Sequence, residues 1–141
     1  MNDVRRHAAQ SHVQSASGIV ASAKAEIREV LPEQVEDLVQ AGAVLLDVRE
    51  RDELVSEGII PGALHAPRGL LEWCVDPQSA TFIKALAPER PVILYCRSGN
   101  RSALAAQVME KMGYGDVTSL QGGIVRWKTE GRPVAAPQAI L

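Results

Sequence analysis

The feature that most narrows the fold of this chain is an alternation between two kinds of apolar segment. Five short runs, Ile27 to Val30, Val44 to Leu46, Ala63 to His65, Val92 to Tyr95 and Val117 to Leu120, are rich in β-branched and aliphatic residues, with Gly, Pro or Asp close by. They are too short for helices and read as buried strands. Helical patterns lie between them. Pro32 to Gln40 opens on a proline and stops before Gly42, and Arg51 to Glu57 stops at Gly58, the proline-first, glycine-last asymmetry of helices. In Arg101 to Met112, Leu104, Val108 and Met112 recur every four residues before Gly113, which predicts an amphipathic helix with a glycine stop. Strands alternating with helices predict an α/β domain whose mainly parallel sheet is covered on both faces. Ligands of such sheets bind beyond the carboxyl ends of the strands, which singles out the residues just after Tyr95 and just after Leu46.

Composition narrows the function classes. A chain of 141 residues suits one hydrophobic core that needs neither metal nor disulfide. The 46% hydrophobic and 23% charged residues are those of a globular domain, not of a disordered one. A formal charge of −2 gives no overall pull toward nucleic acid, so any basic site is local. The two cysteines, Cys74 and Cys96, are too few for a disulfide framework, and no Cys or His spacing matches a zinc site. Reduced thiols in the cytoplasm, with no metal and no cofactor, are the expectation. No stretch approaches the roughly 20 apolar residues that span a bilayer, so no membrane partner is expected. Residues 1–25 are rich in Ala and Ser, with Arg5 and Arg6; this superficially suits a transit peptide, but a helical or frayed arm is the simpler reading.

The chemistry concentrates at Cys96-Arg97-Ser98-Gly99-Asn100-Arg101-Ser102, where the Val92 to Tyr95 run gives way to a helix. Unpaired backbone N–H groups and the positive end of a helix dipole face such a loop, and both stabilise negative charge. Arg97 and Arg101 add full charges, which favours a thiolate at Cys96. Gly99 lets successive N–H groups turn inward, and each arginine offers a planar fork to an oxyanion. A lone cysteine is more often inert core; strand, cysteine, basic glycine loop and helix in this order mark an activated nucleophile.

This loop resembles the active-site loop of the rhodanese family. Leu46-Asp47-Val48-Arg49 resembles that family's first signature, Ile60-Pro61-Gly62-Ala63 with Pro67 its second, and Leu120-Gln121-Gly122-Gly123-Ile124 with Trp127 its last strand and helix. The combination covers about residues 25 to 133 in the family's order and is far more specific than any one motif. It implies a rhodanese-like three-layer α/β/α domain with a mainly parallel five-stranded sheet over 26–133, an arm over 1–25 and a tail over 134–141. It further implies a double displacement in which Cys96 takes a sulfane sulfur from a small anionic donor such as thiosulfate and passes it to a thiol or cyanide. Arg97 and Arg101 would bind the donor, with Ser98, Gly99, Asn100 and Ser102 completing the loop. The family commonly has His where this chain has Ile59, which puts in doubt any bond that such a His makes. Pro67 to Trp73 looks like a bacterial subgroup in which the segment lies beside the loop, which would place Arg68 and Glu72 there; by themselves the two residues read equally as a solvated helix face.

Other residues carry weaker signals. Asp47 either orients the loop or pairs with one of its arginines, or else caps a helix or turn. Arg49 reads as a structural ion-pair partner before a catalytic group, Trp73 as core before a pocket wall, and Cys74 as packing rather than a second thiol. His7 and His12 lack a partner at metal-ligand spacing, and His65 reads as packed. Against the sulfurtransferase reading stands a non-enzymatic module that binds a partner or senses redox state, although such a module needs no activated thiol. Oligomeric state is not legible. Cysteine phosphatases of related architecture place five residues between Cys and Arg, whereas here four intervene and Ser102 takes the position of that arginine. A loop this short does not cradle a phosphoryl group, so purified protein should show no Cys96-dependent hydrolysis of an aryl phosphate, read by phenolate release; robust turnover would reverse that reading.

Overall fold

The computed structural model describes residues 13–137; Arg5, Arg6, His7 and His12 lie outside them. A five-stranded, wholly parallel sheet is formed by β1 (Arg28–Val30), β2 (Val44–Asp47), β3 (Leu64–His65), β4 (Val92–Tyr95) and β5 (Val117–Leu120), in the order β1-β5-β4-β2-β3. Parallel neighbours need crossover connections. These carry α2 (Pro32–Gln40), α3 (Arg51–Glu57), α4 (Leu71–Val75) and α5 (Asn100–Lys111), with α1 (Ala16–Glu26) before the sheet and α6 (Gly123–Thr129) after it. Among the described residues no helix is long and apolar enough to cross a membrane.

Alternation along the strands builds two cores. Val44, Leu46, Val92, Leu94 and Val117 face α1, α4 and α5, with Ala23, Leu71, Val75, Ala106 and Met109. Leu45, Ile93, Tyr95 and Leu120 face α2 and α6, with Val35, Ile124 and Trp127. These are the three layers. β4 lies at the centre, its register placing Asp47 beside Tyr95, so the residue after Tyr95 leaves the sheet in its best-supported region.

Two expectations need correction. The stripe Leu104, Val108, Met112 is not the buried face of α5: Leu104 and Val108 are half-buried and Met112 is 39% exposed, while Ala103, Ala105, Ala106 and Met109 are buried. The helix is wedged between the sheet and α1, whose Ala23 is also buried, and two helices and a sheet approach closely where side chains are small. Gln107 Nε2 donates to Glu26 Oε1 at 2.7 Å across this contact, and Ser15 caps α1 through the Gly18 N–H at 3.0 Å. Trp73 is not core either. It stands 58% exposed, because Leu71 and Val75, four residues apart, take the buried side of α4.

The position of Ile59 is secured by backbone. Ile59 and Ala135 exchange two N–H to carbonyl bonds of 2.8 Å, so Ala135 is held against the domain, and Ile59 is buried.

Candidate active site

Cys96 follows the central strand directly and is 1% exposed. Its Sγ accepts the Gly99 N–H at 3.2 Å and the Ser102 N–H at 3.4 Å, both from the first turn of α5 and its cap. Gly99 caps the helix in the left-handed region, φ +101°, where a side chain is strained. Side-chain hydroxyls continue inward: Cys96 Sγ lies 3.5 Å from Ser102 Oγ, which lies 2.8 Å from Ser119 Oγ on β5. Ser102 and Ser119 are fully buried, so the Ser119 hydroxyl depends on Ser102, whose own hydroxyl stands between Ser119 and the sulfur.

The loop is held open from the far side by α6. The Ile124 N–H donates to the Cys96 carbonyl at 3.0 Å and the Val125 N–H to the Arg97 carbonyl at 3.1 Å. The two carbonyls are thereby turned toward α6, leaving N–H groups to face the sulfur. Such proximity requires glycine. At Gly123, φ +59°, an added Cβ would fall 2.4 Å from the Arg97 carbonyl oxygen and 2.6 Å from that of Cys96. Gly123 is therefore part of the site, a role the sequence displays only as part of the last-helix resemblance.

The charged residues form two tiers. Behind the sheet, Asp47 and Arg49 are both buried and form a bidentate pair, with Arg49 Nη2 to Asp47 Oδ2 at 2.8 Å and Nη2 also to the Gly58 carbonyl at 2.7 Å. Burial disfavours the guanidinium charge, but the Asp47 bonds outweigh it and hold Arg49 charged above its ordinary value. Its guanidinium sits 5.7 Å from the Tyr95 ring centroid. Burial, then Asp47, pushes the Tyr95 phenol well up, and its hydroxyl accepts the Ile60 N–H at 3.0 Å. Asp47 points to the same face as Tyr95, away from Cys96, so it serves Arg49 and its turn, not a loop arginine.

In front, α3 presents Glu53 and Glu57, four residues apart on one face. Arg101 Nη1 and Nη2 donate to Glu53 Oε1 and Oε2 at 2.7 and 2.8 Å. These bonds pull Glu53 from 4.5 down to about 2 and push Arg101 up. Arg97 is 58% exposed, with its Nε 3.9 Å from Glu57. Neither glutamate stands out in the sequence, because each partner lies about forty or more residues away and no local pattern marks it.

The remaining candidates sit as follows. Ser98 and Asn100 are exposed on the rim and Gly99 is buried. Arg68 is tied through its N–H to the Val48 carbonyl at 3.0 Å, and its guanidinium bonds Glu72, four residues on at the start of α4, at 3.2 Å. His65 Nε2 donates to the Arg49 carbonyl at 2.7 Å. Cys74 packs half-buried against the α5-side core, and burial pushes its thiol up.

Fold and site together define a class of protein: an open α/β sheet whose central strand delivers a cysteine into a loop lined by N–H groups and flanked by arginines. The sequence profile of the rhodanese-like domain matches residues 31–130. The chain is 36% identical over 95 residues to a sulfurtransferase of Allochromatium vinosum, covering 67% of this chain and 80% of that protein. It is 35% identical over 104 residues to the thiosulfate sulfurtransferase GlpE of Pseudomonas fluorescens, covering 74% and 87%. A Rhodopseudomonas palustris structure of unknown function, described as a possible tyrosine phosphatase, superposes with a TM-score of 0.80 at 30% identity, covering 89% of this chain and 97% of that one. The chain belongs to the rhodanese-like domain family, and its general role is that of a sulfurtransferase.

Two outcomes follow from this geometry. Gly123→Ala should lose at least about 2 kcal/mol in urea unfolding, from left-handed strain and the backbone clash, together with most sulfur-transfer activity. Gly131→Ala, with φ +79° and open space around it, should lose only the conformational share. Glu53→Gln tests the Arg101 pair while keeping a side-chain oxygen for the Glu50 N–H. A lowered native value stabilises the fold above the ordinary carboxylate range and ceases to do so as pH falls through it. The stability gap between wild type and Glu53→Gln should thus be about 1 kcal/mol above pH 4.5 and close as pH falls toward about 2; a gap independent of pH would contradict the pairing.

Proposed function

We propose that this protein transfers a sulfane sulfur from a small anionic donor such as thiosulfate to a thiol or cyanide, carrying it as a persulfide on Cys96. The observation that carries the reading is the pair of N–H groups, from Gly99 and Ser102, converging on Cys96 Sγ at 3.2 and 3.4 Å. An anionic sulfur is stabilised there, first as thiolate and then as persulfide. In the first step the thiolate attacks the outer sulfur of thiosulfate, the S–S bond breaks, and sulfite leaves with the electron pair. In the second, cyanide or a thiolate attacks the outer sulfur of the persulfide and Cys96 departs as thiolate. Arg97 receives the donor's sulfonate end. Arg101, occupied by Glu53, holds the loop's shape. Two free cysteines suit a reducing compartment such as the cytoplasm. The phosphatase description of the Rhodopseudomonas relative is not carried over, because four residues rather than five separate Cys96 from Arg101.

Protein incubated with thiosulfate and desalted should gain the mass of one sulfur atom, and cyanide should remove it as thiocyanate. Cys96→Ser should abolish both, Cys74→Ser should retain most turnover, and Arg97→Ala should raise the thiosulfate KM roughly ten-fold or more, as expected for a lost charge-assisted hydrogen bond. Wild-type protein that never gains sulfur at Cys96 from thiosulfate or a persulfide would hand the reading to a binding module.

A further inference from the structure

The Arg49 side chain is completely buried, yet its Nη1 has no hydrogen-bond partner. Glu57 Oε1 lies 3.6 Å from that atom. The other oxygen of the same carboxylate faces Arg97 Nε at 3.9 Å. Glu57 is thus shared between a buried cation that lacks a bond and an exposed cation on the catalytic loop. Arg101 does not compete for it, since both of its terminal nitrogens are taken by Glu53. Arg97 is the loop guanidinium left open to an anion, and among the described residues its one ion pair is with Glu57.

We propose that Glu57 is the specificity-determining residue of this site: a carboxylate shared by Arg49 and Arg97 that sets how donor charge is weighed, favouring monoanionic donors such as organic persulfides and thiosulfonates over the thiosulfate dianion. The inference rests on the reading of Cys96 as the sulfur acceptor. An anion at Arg97 sits near the negative charge of Glu57, a Coulombic penalty that scales with the donor's own charge. The carboxylate is kept in place by Arg49, whose Nη1 lies 3.6 Å from its Oε1. Glu57 therefore stays beside the donor and counts against a second negative charge. It acts on the donor by its charge, beside Arg97, and does not touch the reacting sulfur.

The test is Glu57→Gln in a Cys74→Ser background, which removes the charge and keeps an oxygen for Arg49. Thiosulfate and benzenethiosulfonate are compared as donors by thiocyanate release. The thiosulfate KM should fall about four-fold and the thiosulfonate KM about two-fold, the larger factor being the square of the smaller because the charge doubles, with kcat nearly unchanged. Glu57→Asp, which keeps the charge, should retain the wild-type preference. Independently of sulfur transfer, the rate of Cys96 alkylation by iodoacetate relative to neutral iodoacetamide should rise about two-fold in Glu57→Gln. Equal changes for the two donors, or an unchanged alkylation ratio, would overturn the role of Glu57 even if thiosulfate is turned over normally. A raised alkylation ratio in a protein that never accepts sulfur would support the role of Glu57 and defeat the sulfurtransferase reading instead.

Discussion

The capture of the Cys96 and Arg97 carbonyls by the N–H groups of Ile124 and Val125 is the constraint on which the site depends. A backbone loop that presents its N–H groups to one point must dispose of its carbonyls elsewhere, and buried carbonyls need donors. The first turn of α6 supplies those donors, since its own N–H groups have no intrahelical partners. That arrangement brings α6 so near the loop that Gly123 admits no Cβ, and it ties the last helix of the chain to a cysteine on the central strand. The sheet order serves the same end: β5, which leads into α6, lies beside β4, which leads into Cys96.

The charges are arranged by depth. Buried Arg49 is compensated by buried Asp47, the expensive case in which an unpaired partner would be heavily penalised, and the pair locks the turn after β2 to the Gly58 carbonyl. At intermediate depth Glu53 holds Arg101. At the surface Arg97 has only a long contact with Glu57. The positive charge free to meet an anion therefore rests on the most exposed arginine, while the better-buried ones organise backbone. The loop's basic composition conceals this division, because Arg97 and Arg101 are chemically identical until their partners on α3 are known.

Where periodicity is carried by one buried face and bounded by glycine or proline, the elements are legible: Pro32–Gln40 and Arg51–Glu57 fall where the capping signals put them. The α5 stripe misleads because Ala contributes little to a hydrophobic pattern yet is what a doubly packed helix needs. Trp73 misleads because its hydrophobicity speaks for burial while Leu71 and Val75 own the inward face of a short helix. Asp47 is ambiguous for a third reason, since a side chain after a buried strand can leave toward either layer.

Sequence by itself determined the strand and helix alternation, the parallel α/β class and the strand-to-loop-to-helix setting of Cys96, because these rest on local periodicity, on the conformational limits of Gly and Pro, and on groups within a few residues of one another. Only the tertiary structure decided that Glu53 occupies Arg101, that Glu57 stands between Arg49 and Arg97, that Ser119 partners Ser102, and that Gly123 abuts the Cys96 loop. Each of these joins residues distant in the chain through packing of separate elements, and no local pattern encodes which distant partner a charge or hydroxyl will meet.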